Sequence, residues 1–378
     1  MSDLKVLHIV SDYPDHTTLN YTNAVKNLLH ETQKEASHKV IALRRVKMGK
    51  LCFQKYDGYF YFQVPSLPFA LFHILSSFIY SLILLKEIKK NNIQFDVIHG
   101  HKLTVDGVIA YFLSKFTGVK YVLSVRADTD LKFIKNKPLS RHVFRNIFKT
   151  AKHIFWVSAW SKNTINKMLG YKHLNESNLP NIVTTESHTN PCLNEGFTIS
   201  KKFIFVGRLE SAEKKGLLDV IEAMQFFPDV TLEIYGSSND KIKGELLGFS
   251  LKHGVGDQVF LKGTLPKADL IDSYKNYCAL LMPSKNETFG MVYVEALLEG
   301  LPVLCCEKSG IDGYLRDKNY LQKVLFKDKL AIKNAMQLFL KEQSMIKKNL
   351  YRDIRDGMLD VFLVSNVKDR YLSDLKNV

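Results

Sequence analysis

Short apolar runs rich in Val, Ile and Leu alternate with helix-length segments along the first half of the chain. The runs predict β-strands at residues 6–10, 40–43, 59–64, 97–99, 121–125 and 154–157. The segments between them predict helices at residues 20–31, 69–90, 105–116 and 139–149. Near-continuous apolar strands separated by helices are typical of a parallel sheet covered on both faces. The first half is therefore predicted to be a doubly wound α/β domain.

The same alternation begins again after residue 200. It predicts strands at residues 202–206, 231–235, 258–262, 279–282 and 302–306, with helices between them. Residues 176–200 are rich in Asn, Ser, Thr and Pro and are predicted to form a linker. We therefore expect two Rossmann-like domains, at residues 1–195 and 196–360, facing a central cleft. Ligands of such sheets bind beyond the carboxyl ends of the strands.

Composition excludes two classes of protein and raises a question about charge. With 46% hydrophobic and 24% charged residues, the chain is too apolar for a disordered protein and too polar for a polytopic membrane protein. The net charge is +15, and residues 1–195 hold 26 of the 53 basic residues but 14 of the 38 acidic ones. A nucleic-acid-binding protein is one interpretation, although no recognition-helix or RNA-binding signature accompanies the charge. An anionic surface or substrate is the other.

The cysteines and the N-terminal residues bear on the cellular compartment. Five cysteines without a CxxC spacing argue against a disulfide framework and against a zinc site. The first ten residues contain an acid and only a short apolar strand, so we expect no signal peptide and a cytoplasmic protein. Residues 68–85 contain no charged residue over 18 positions, which is the lower limit for a membrane span. We expect a helix packed on the sheet there, with an interfacial helix as the alternative.

Residues 281–302 (LMPSKNETFGMVYVEALLEGLP) carry the most specific chemical signal. A strand ends there and a helix is predicted at residues 289–299. Free backbone N–H groups at its start would bind an anion, and these belong to Phe289, Gly290 and Met291. Glu287 before the helix and Glu295 within it would accept hydrogen bonds from vicinal hydroxyls. This combination predicts a ligand that carries both phosphate and sugar groups.

This run resembles the signature of the retaining glycosyltransferases of family 4, which have the GT-B fold and include enzymes of bacterial surface-polysaccharide synthesis. Glu287 and Glu295 match the E-x7-E motif of the family. By that resemblance Glu287 binds hydroxyls of the donor sugar and Glu295 binds the ribose of the nucleotide. The resemblance also places the residues from Thr288 to Met291 in the donor-binding segment.

Residues 205–216 (FVGRLESAEKKG) resemble the VGRL…KG element of the same family. The resemblance implies that Arg208 and Lys215 clamp the donor diphosphate. Lys214 is the weaker candidate because Lys215 directly precedes the glycine. Two fixed cations would stabilise a departing nucleoside diphosphate without a metal, so we expect neither a metal nor a cofactor. Gly236 and Leu265 lie in elements that resemble the lining of the nucleobase pocket.

In the first domain the resemblance is partial. Residues 96–101 (DVIHGH) resemble a strand end of the family, and His101 matches the residue that faces the reacting sugar. His101 and Glu287 are therefore the expected catalytic residues. Residues 361–378 resemble the tail helix that crosses back onto the first domain.

Two features of the first domain depart from the family, and a third resembles a motif of another one. The loop at residues 11–20 has no glycine, and it would present Tyr13, His16 or Thr17 to the acceptor instead. Arg126 occurs where many members have a histidine, and an arginine cannot act as a base. It could hold an acidic sugar or a phosphate of the acceptor. Asp128-Thr-Asp130 resembles the metal-binding DxD motif of another glycosyltransferase architecture, which leaves metal binding as an alternative.

The resemblance implies a retaining, metal-independent transferase that moves a sugar from a nucleotide sugar to a glycan acceptor. The donor is UDP-linked in most members, and the acceptor is expected to be lipid-linked, on a polyprenyl carrier. A sugar-nucleotide epimerase of similar fold is an alternative, as is a relative that binds donor without turnover. The complete donor motif argues against the epimerase, and the second alternative stays open with the donor residues intact.

A basic segment predicts contact with a membrane. Residues 131–175 contain ten basic and no acidic residues. Four of the basic residues recur at helical spacing: Arg141, Arg145, Lys149 and Lys152. With Phe144 and Phe148 beside them, they predict an interfacial helix on anionic lipid, and a solvated basic helix is the alternative. We therefore expect a peripheral protein at the inner face of the cell membrane that does not bind nucleic acid.

Overall fold

The computed structural model describes residues 4–17, 22–47, 49–66, 72–183 and 199–378. The chain divides into two units, of which the first comprises residues 1–182 and 362–378 and the second residues 183–361. Each unit contains one sheet of mainly parallel strands with helices between them, as the alternating sequence pattern predicts.

The first unit is built on a sheet whose described strands follow the order β3-β4-β2-β1-β5-β6-β7-β8. These strands are β1 (Leu4–Val10), β2 (Ala36–Lys47), β3 (Cys52–Tyr56), β4 (Tyr59–Ser66), β5 (Val97–Gly100), β6 (Lys120–Val125), β7 (Ile154–Trp156) and β8 (Glu176–Asn178). The helices are α1 (Ala24–Thr32), α2 (His73–Lys90), α3 (Asp106–Thr117), α4 (Asp128–Asn136), α5 (Arg141–Thr150), α6 (Lys162–Leu169) and α13 (Val364–Lys376). Among the paired strands described, β3 alone runs antiparallel to its neighbour, because a tight turn joins it to β4.

Helices cover both faces of this sheet. Residues of α2, α3 and α5 share one buried cluster with the strands, to which Leu84, Val108 and Phe144 belong. On the opposite face α1 and α13 cover the strands through a second cluster that includes Leu28 and Tyr371. The last helix of the chain is therefore part of the first unit's core.

The second unit is built on a parallel sheet whose described strands follow the order β11-β10-β9-β12-β13-β14. These strands are β9 (Lys202–Val206), β10 (Thr231–Tyr235), β11 (Val259–Gly263), β12 (Ala279–Leu281), β13 (Val303–Cys306) and β14 (Leu321–Val324). The helices are α7 (Leu217–Ala223), α8 (Asp240–Lys252), α9 (Lys267–Ser273), α10 (Met291–Leu298), α11 (Lys329–Lys341) and α12 (Gln343–Arg355). The strand order reverses between β9 and β12, and the loops that leave these two strands diverge at the carboxyl edge of the sheet.

Several sequence-based expectations about elements need correction. The predicted linker begins too early, because β8 and the buried residues Leu179 and Ile182 belong to the first unit, while residues 184–198 lie outside the described part of the chain. Strand β3 was not predicted. Asp128 and Asp130 of the DxD triplet lie in the first turn of α4, an element that was not predicted. The predicted helix at 20–31 begins at Ala24, with residues 20 and 21 outside the description.

Candidate active site

Two predicted donor residues meet beyond the carboxyl ends of β9 and β12. Lys215 lies in the loop after β9, and its Nζ is 3.1 Å from Oε2 of Glu287 in the loop after β12. The backbone N–H of Glu287 donates to Ser309 Oγ over 2.8 Å, and this bond ties the loop after β12 to the segment after β13. Ser284 Oγ lies 3.4 Å from the same carboxylate oxygen as the lysine. Lys214 is exposed, so Lys215 is the lysine that faces this carboxylate.

The N-terminus of α10 lies directly after Glu287. Gly290 precedes the first helical residue, Met291, with φ +72°, a value that favours glycine. A Cβ on Gly290 would lie 2.4 Å from the ring of Tyr293 and 3.1 Å from Cγ of Glu287. The Tyr293 ring cannot withdraw easily, because it is buried and its hydroxyl donates to the Met282 carbonyl over 2.7 Å. Only glycine therefore fits between the carboxylate and the helix.

The remaining predicted donor residues surround this loop within the second unit. Phe289 is buried with its ring edge-on to Tyr314, and Thr288 and Met291 are half-buried. Gly236 directly follows β10, and a Cβ there would lie 1.9 Å from the Gly207 carbonyl oxygen. Any side chain at residue 236 would clash with this oxygen, so the close approach of the Gly236 and Gly207 backbones requires glycine at residue 236.

Arg208 and Leu265 complete the carboxyl edge of the sheet. Arg208 follows β9 and is exposed, and within the described ranges it has no carboxylate within ion-pairing distance. Leu265 follows β11 and is 40% exposed. Residues that the sequence assigns to one site therefore follow neighbouring strands at one edge of the sheet.

Glu295 has a partner that the sequence did not predict. It lies on α10 with 9% of its surface exposed, and its Oε1 is 3.0 Å from Nζ of Lys267 at the start of α9. The two residues are separated by 27 others in the sequence, and no motif joins them. The Lys267 ammonium adds another positive charge to this side of the second unit.

In the first unit, His101 belongs to a cluster of histidines. It follows β5 and is buried, its Nε2 is 2.9 Å from Nδ1 of His8, and its ring is stacked on His99 at 3.9 Å. Burial lowers the pKa of His8, His99 and His101 well below the usual value, so all three are neutral at neutral pH. The alternating histidines at 99 and 101, on one face of a strand, are a signal that could have revealed the cluster.

Among the described residues, His8, His99 and His101 are the one group of three side chains placed closely enough to bind a metal ion. One ring nitrogen of each lies within 4.8 Å of the other two. Both nitrogens of His8 and both of His99 are already hydrogen-bonded. Binding of a metal would therefore break existing hydrogen bonds. The donor set fits a hydrogen-bonded network better than a resident metal.

The glycine-free loop after β1 is organised by an arginine. Arg44 is buried, its Nε donates to Asp15 over 2.6 Å, and its terminal nitrogens donate to the carbonyls of Ser11 and Tyr13. The Tyr13 side chain is buried in an apolar cluster with Val10 and Val25, which makes it less suited to contact an acceptor than the sequence suggested. His16 is exposed and stacks on Tyr56 with ring centroids 4.3 Å apart.

Arg126 and the two aspartates of the DxD triplet have separate roles. Arg126 is buried, and its Nη1 donates to Asn181 over 3.1 Å. Asp130 is also buried and accepts hydrogen bonds from Thr104 and from the backbone of Arg126. Asp128 instead pairs with Lys132 at 2.9 Å. The two carboxylates have different partners, which does not fit a shared metal ion.

Two acidic groups near the end of β1 were not predicted. Asp106 is buried, which raises its pKa to about 7, and it accepts a hydrogen bond from the backbone of Ser11. Lys102 pairs with Asp12 at 2.6 Å. No sequence motif marks these residues.

The predicted membrane face of α5 is basic but not aromatic. Arg145 and Lys149 are exposed on α5, whereas the Arg141 Nε donates to the carbonyl of Ile134. Lys152 is exposed too, but the prediction that it belongs to the helix was wrong, because α5 ends at Thr150. The phenylalanines predicted to flank this face, Phe144 and Phe148, are fully buried. The prediction was wrong about them because Phe144, Ile147 and Phe148 form the apolar stripe that packs on the sheet.

Comparison with known proteins bears on the identity of this site. Residues 195–356 match the family model of the glycosyl transferases group 1. The matched residues lie within the second unit, and all donor residues named above lie inside the match. The family description does not distinguish retaining from inverting members or name a pathway.

Relatives and solved structures extend the likeness to both units. An uncharacterized glycosyltransferase of Methanocaldococcus jannaschii is 26% identical over 246 residues, which cover 62% of this chain and 65% of that relative. The match thus spans less than two thirds of that relative's length. Sucrose-phosphate synthase from Thermosynechococcus elongatus has a TM-score of 0.73 at 15% identity and matches 99% of this chain and 98% of its own. The Anabaena protein HepE in complex with UDP has a TM-score of 0.72 at 14% identity, with 99% and 100% covered. The fold is GT-B, with two Rossmann-like domains.

Proposed function

We propose that the chain is a retaining glycosyltransferase that uses a UDP-linked sugar and a lipid-linked glycan acceptor in polysaccharide synthesis. The observation that carries the proposal is the Lys215–Glu287 pair at the N-terminus of α10. This one loop cluster offers a cation, helix N–H groups and a carboxylate, which are the groups that a sugar diphosphate needs. The Anabaena protein of the same fold, whose structure contains UDP, supports the choice of nucleotide.

Donor binding would rearrange this pair. The diphosphate would take over the charge of Lys215, and the Glu287 carboxylate would then accept hydrogen bonds from sugar hydroxyls. The exposed Arg208 would add a second cation. These cations and the helix N-terminus stabilise the charge that develops on the departing diphosphate, so the proposed reaction needs no metal.

Retention of the anomeric configuration is proposed to proceed by front-face attack. A double displacement would need a nucleophilic carboxylate in the first unit. Asp106 is a poor candidate because it is fully buried and accepts a hydrogen bond from the backbone of Ser11, so it is not accessible to a sugar. In front-face attack the leaving phosphate assists the incoming hydroxyl, and His101 orients the sugar.

A donor screen followed by matched lysine variants tests the proposal. Thermal shifts with UDP-, GDP- and ADP-sugars identify the donor, and its hydrolysis is then measured. We expect Lys215→Met and Glu287→Gln each to lower kcat/KM by about 100-fold or more. Lys214→Met is the control, since it removes the exposed neighbouring charge. Equal losses in Lys214→Met and Lys215→Met would contradict the assignment.

The proposed membrane contact combines an apolar face of α2 with the basic face of α5. Among the residues that the structure describes, no helix is both long and apolar enough to cross a bilayer. Helix α2, however, buries Ser77 and Ser81 and exposes an apolar row at helical spacing: Leu75, Phe78, Ile79 and Leu82. Helix α3 lies between α2 and α5, because Phe112 contacts Phe78 and the Tyr111 hydroxyl accepts a hydrogen bond from Asn146. The apolar row and the basic residues of α5 are therefore on the same helical layer, which suits an anionic membrane surface.

Co-sedimentation with liposomes tests this part separately. We expect binding to anionic vesicles that weakens with salt, since screening shortens the reach of exposed charges. The triple change of Arg145, Lys149 and Lys152 to Gln should weaken it further, at about 1 kcal/mol for each charge. Changing Leu75 and Ile79 to Gln should weaken binding even at low salt. Absence of binding at low salt would exclude the membrane contact without affecting the donor site.

A further inference from the structure

Four residues of the first unit form one continuous chain of hydrogen bonds. It runs from His101 Nε2 to His8 Nδ1 (2.9 Å), from His8 Nε2 to His38 Nδ1 (3.0 Å), and from His38 Nε2 to Thr32 Oγ1 (2.9 Å). Thr32 lies at the end of α1, His38 on β2, His8 on β1 and His101 beyond β5. The chain therefore joins a helix end to the predicted catalytic histidine across the sheet.

The last link fixes the direction of every other link. The Thr32 hydroxyl donates to the Leu28 carbonyl over 2.7 Å, so its oxygen can only accept from His38. His38 must then carry its proton on Nε2 and accept at Nδ1 from His8. His8 in turn must accept at Nδ1 from the Nε2–H of His101. Neutral imidazole has one donor and one acceptor nitrogen, so no other assignment satisfies these three bonds together with the bond from Thr32 to the Leu28 carbonyl.

The histidines stay neutral, which this assignment requires. Burial lowers the pKa of His38 to about 4 and that of His8 and His101 well below the usual value. Arg126 and His99, the other titratable groups that act on His101, lower its pKa further. Protonation of any member would create two donors and break the sequence of donors and acceptors.

The chain ends at an atom without a partner. His101 Nδ1 is buried and has no hydrogen-bond partner among the described residues. A buried acceptor in this state is costly unless a ligand supplies a donor. The His101 ring cannot turn to find another partner, because it is stacked on His99, whose nitrogens are bonded to Tyr371 and Ser124.

We propose that Thr32, His38 and His8 are positioning residues that hold His101 in its Nε2–H form, so that its Nδ1 acts as an acceptor for a hydroxyl group of the transferred sugar. The assignment of the tautomer depends only on hydrogen bonds within the first unit. The identity of the hydroxyl rests on the proposed function.

The first experiment measures the tautomers without any substrate. Long-range proton–nitrogen NMR spectra of protein labelled with ¹⁵N-histidine distinguish protonated from bare ring nitrogens. We expect His8, His38 and His101 all to carry the proton on Nε2. A proton on Nδ1 of His101 would overturn the proposal, whatever reaction the protein catalyses. One equivalent of divalent metal in the purified protein, lost in His8→Asn, would also overturn it, since a metal occupies the lone pairs that the chain uses.

The second experiment removes the end of the chain and measures activity. Thr32→Val leaves the Nε2–H of His38 without an acceptor, so the chain can reverse and protonate His101 at Nδ1. Thr32→Ser keeps the hydroxyl and should restore the wild-type tautomer. Thr117→Val is a matched control, because the Thr117 hydroxyl makes the same bond to a carbonyl four residues earlier, over 2.8 Å, at the end of α3.

We expect Thr32→Val to lower kcat by about tenfold with little change in donor KM, which is the effect of one hydrogen bond made in the transition state. Thr32→Ser and Thr117→Val should retain activity. Equal losses in Thr32→Val and Thr117→Val would reduce Thr32 to a structural role and overturn the proposal. If no donor is turned over by the wild type, the proposed function fails while the NMR result still decides the tautomer.

Discussion

Substitution of Gly290 tests how closely the candidate donor site is packed. Gly290 has φ +72°, and a left-handed backbone costs an L-residue about 1–2 kcal/mol. The added Cβ of Gly290→Ala would also lie 2.4 Å from the Tyr293 ring, and overpacking of this kind costs about 1–3 kcal/mol. We therefore expect a loss of about 2–5 kcal/mol in the free energy of unfolding.

Gly254→Ala separates the two contributions. Gly254 lies in the same unit with φ +69°, and a Cβ there would meet nothing within 4 Å. It should therefore lose only the backbone contribution of about 1–2 kcal/mol. Urea unfolding followed by far-UV circular dichroism, at unchanged m-value, measures the difference.

The activity of the same variant reports on Glu287. Since Tyr293 is buried and hydrogen-bonded, Glu287 is the neighbour that can move, and the donor KM of Gly290→Ala should rise while that of Gly254→Ala should not. Equal urea midpoints for the two variants would refute the packing argument. A normal donor KM in Gly290→Ala would show that Glu287 does not depend on this contact.

Three further predictions concern pH, metal and stereochemistry. Because burial raises the pKa of Asp106 from 3.8 to about 7, ionisation opposes folding, and the wild type loses stability as pH rises from about 4, where the unfolded chain ionises, to about 7, where the folded chain does. Asp106→Asn should therefore gain stability relative to wild type progressively between about pH 4 and pH 7, by at most about 4 kcal/mol, with a constant difference at higher pH, as followed by urea unfolding; a pH-independent difference across this range would contradict this. Transferase activity should survive excess EDTA. Loss of activity with rescue by manganese would favour the alternative that Asp128 and Asp130 bind a metal ion. The anomeric proton of the product, observed by NMR, should show the donor's configuration, and inversion would exclude the proposed mechanism.

The candidate donor residues of the second unit were largely predictable because they lie in short sequence motifs. Glu287, Gly290 and the start of α10 lie within a few residues of one another, and Lys215 belongs to one local motif. Contacts between distant segments carried no such signal. The pairing of Lys267 with Glu295 depends on how α9 packs beside α10, which no local pattern encodes.

The first unit shows the limits of periodicity more clearly. Of the basic residues predicted to share one face, Arg145 and Lys149 are exposed on α5 while Lys152 lies beyond its end, and the same helix turns Phe144 and Phe148 inward, because one stripe of a helix on a sheet must face the core. In α2 the reverse occurs, since Ser77 and Ser81 are buried while Leu75 and Ile79 are exposed. The histidine chain joins α1, β1, β2 and the end of β5, so only the strand order β2-β1-β5 brings its members together.

Titration calorimetry with UDP tests the assignment of Lys215 to a nucleotide site, because it needs neither the sugar nor the acceptor to be known. We expect the wild-type chain to bind one equivalent of UDP, Lys214→Met to bind as the wild type does, and Lys215→Met to bind at least about tenfold more weakly, on the scale of one charge-assisted hydrogen bond. Equal affinity of wild type and Lys215→Met for UDP would contradict this assignment, as would failure of the wild type to bind UDP, GDP or ADP.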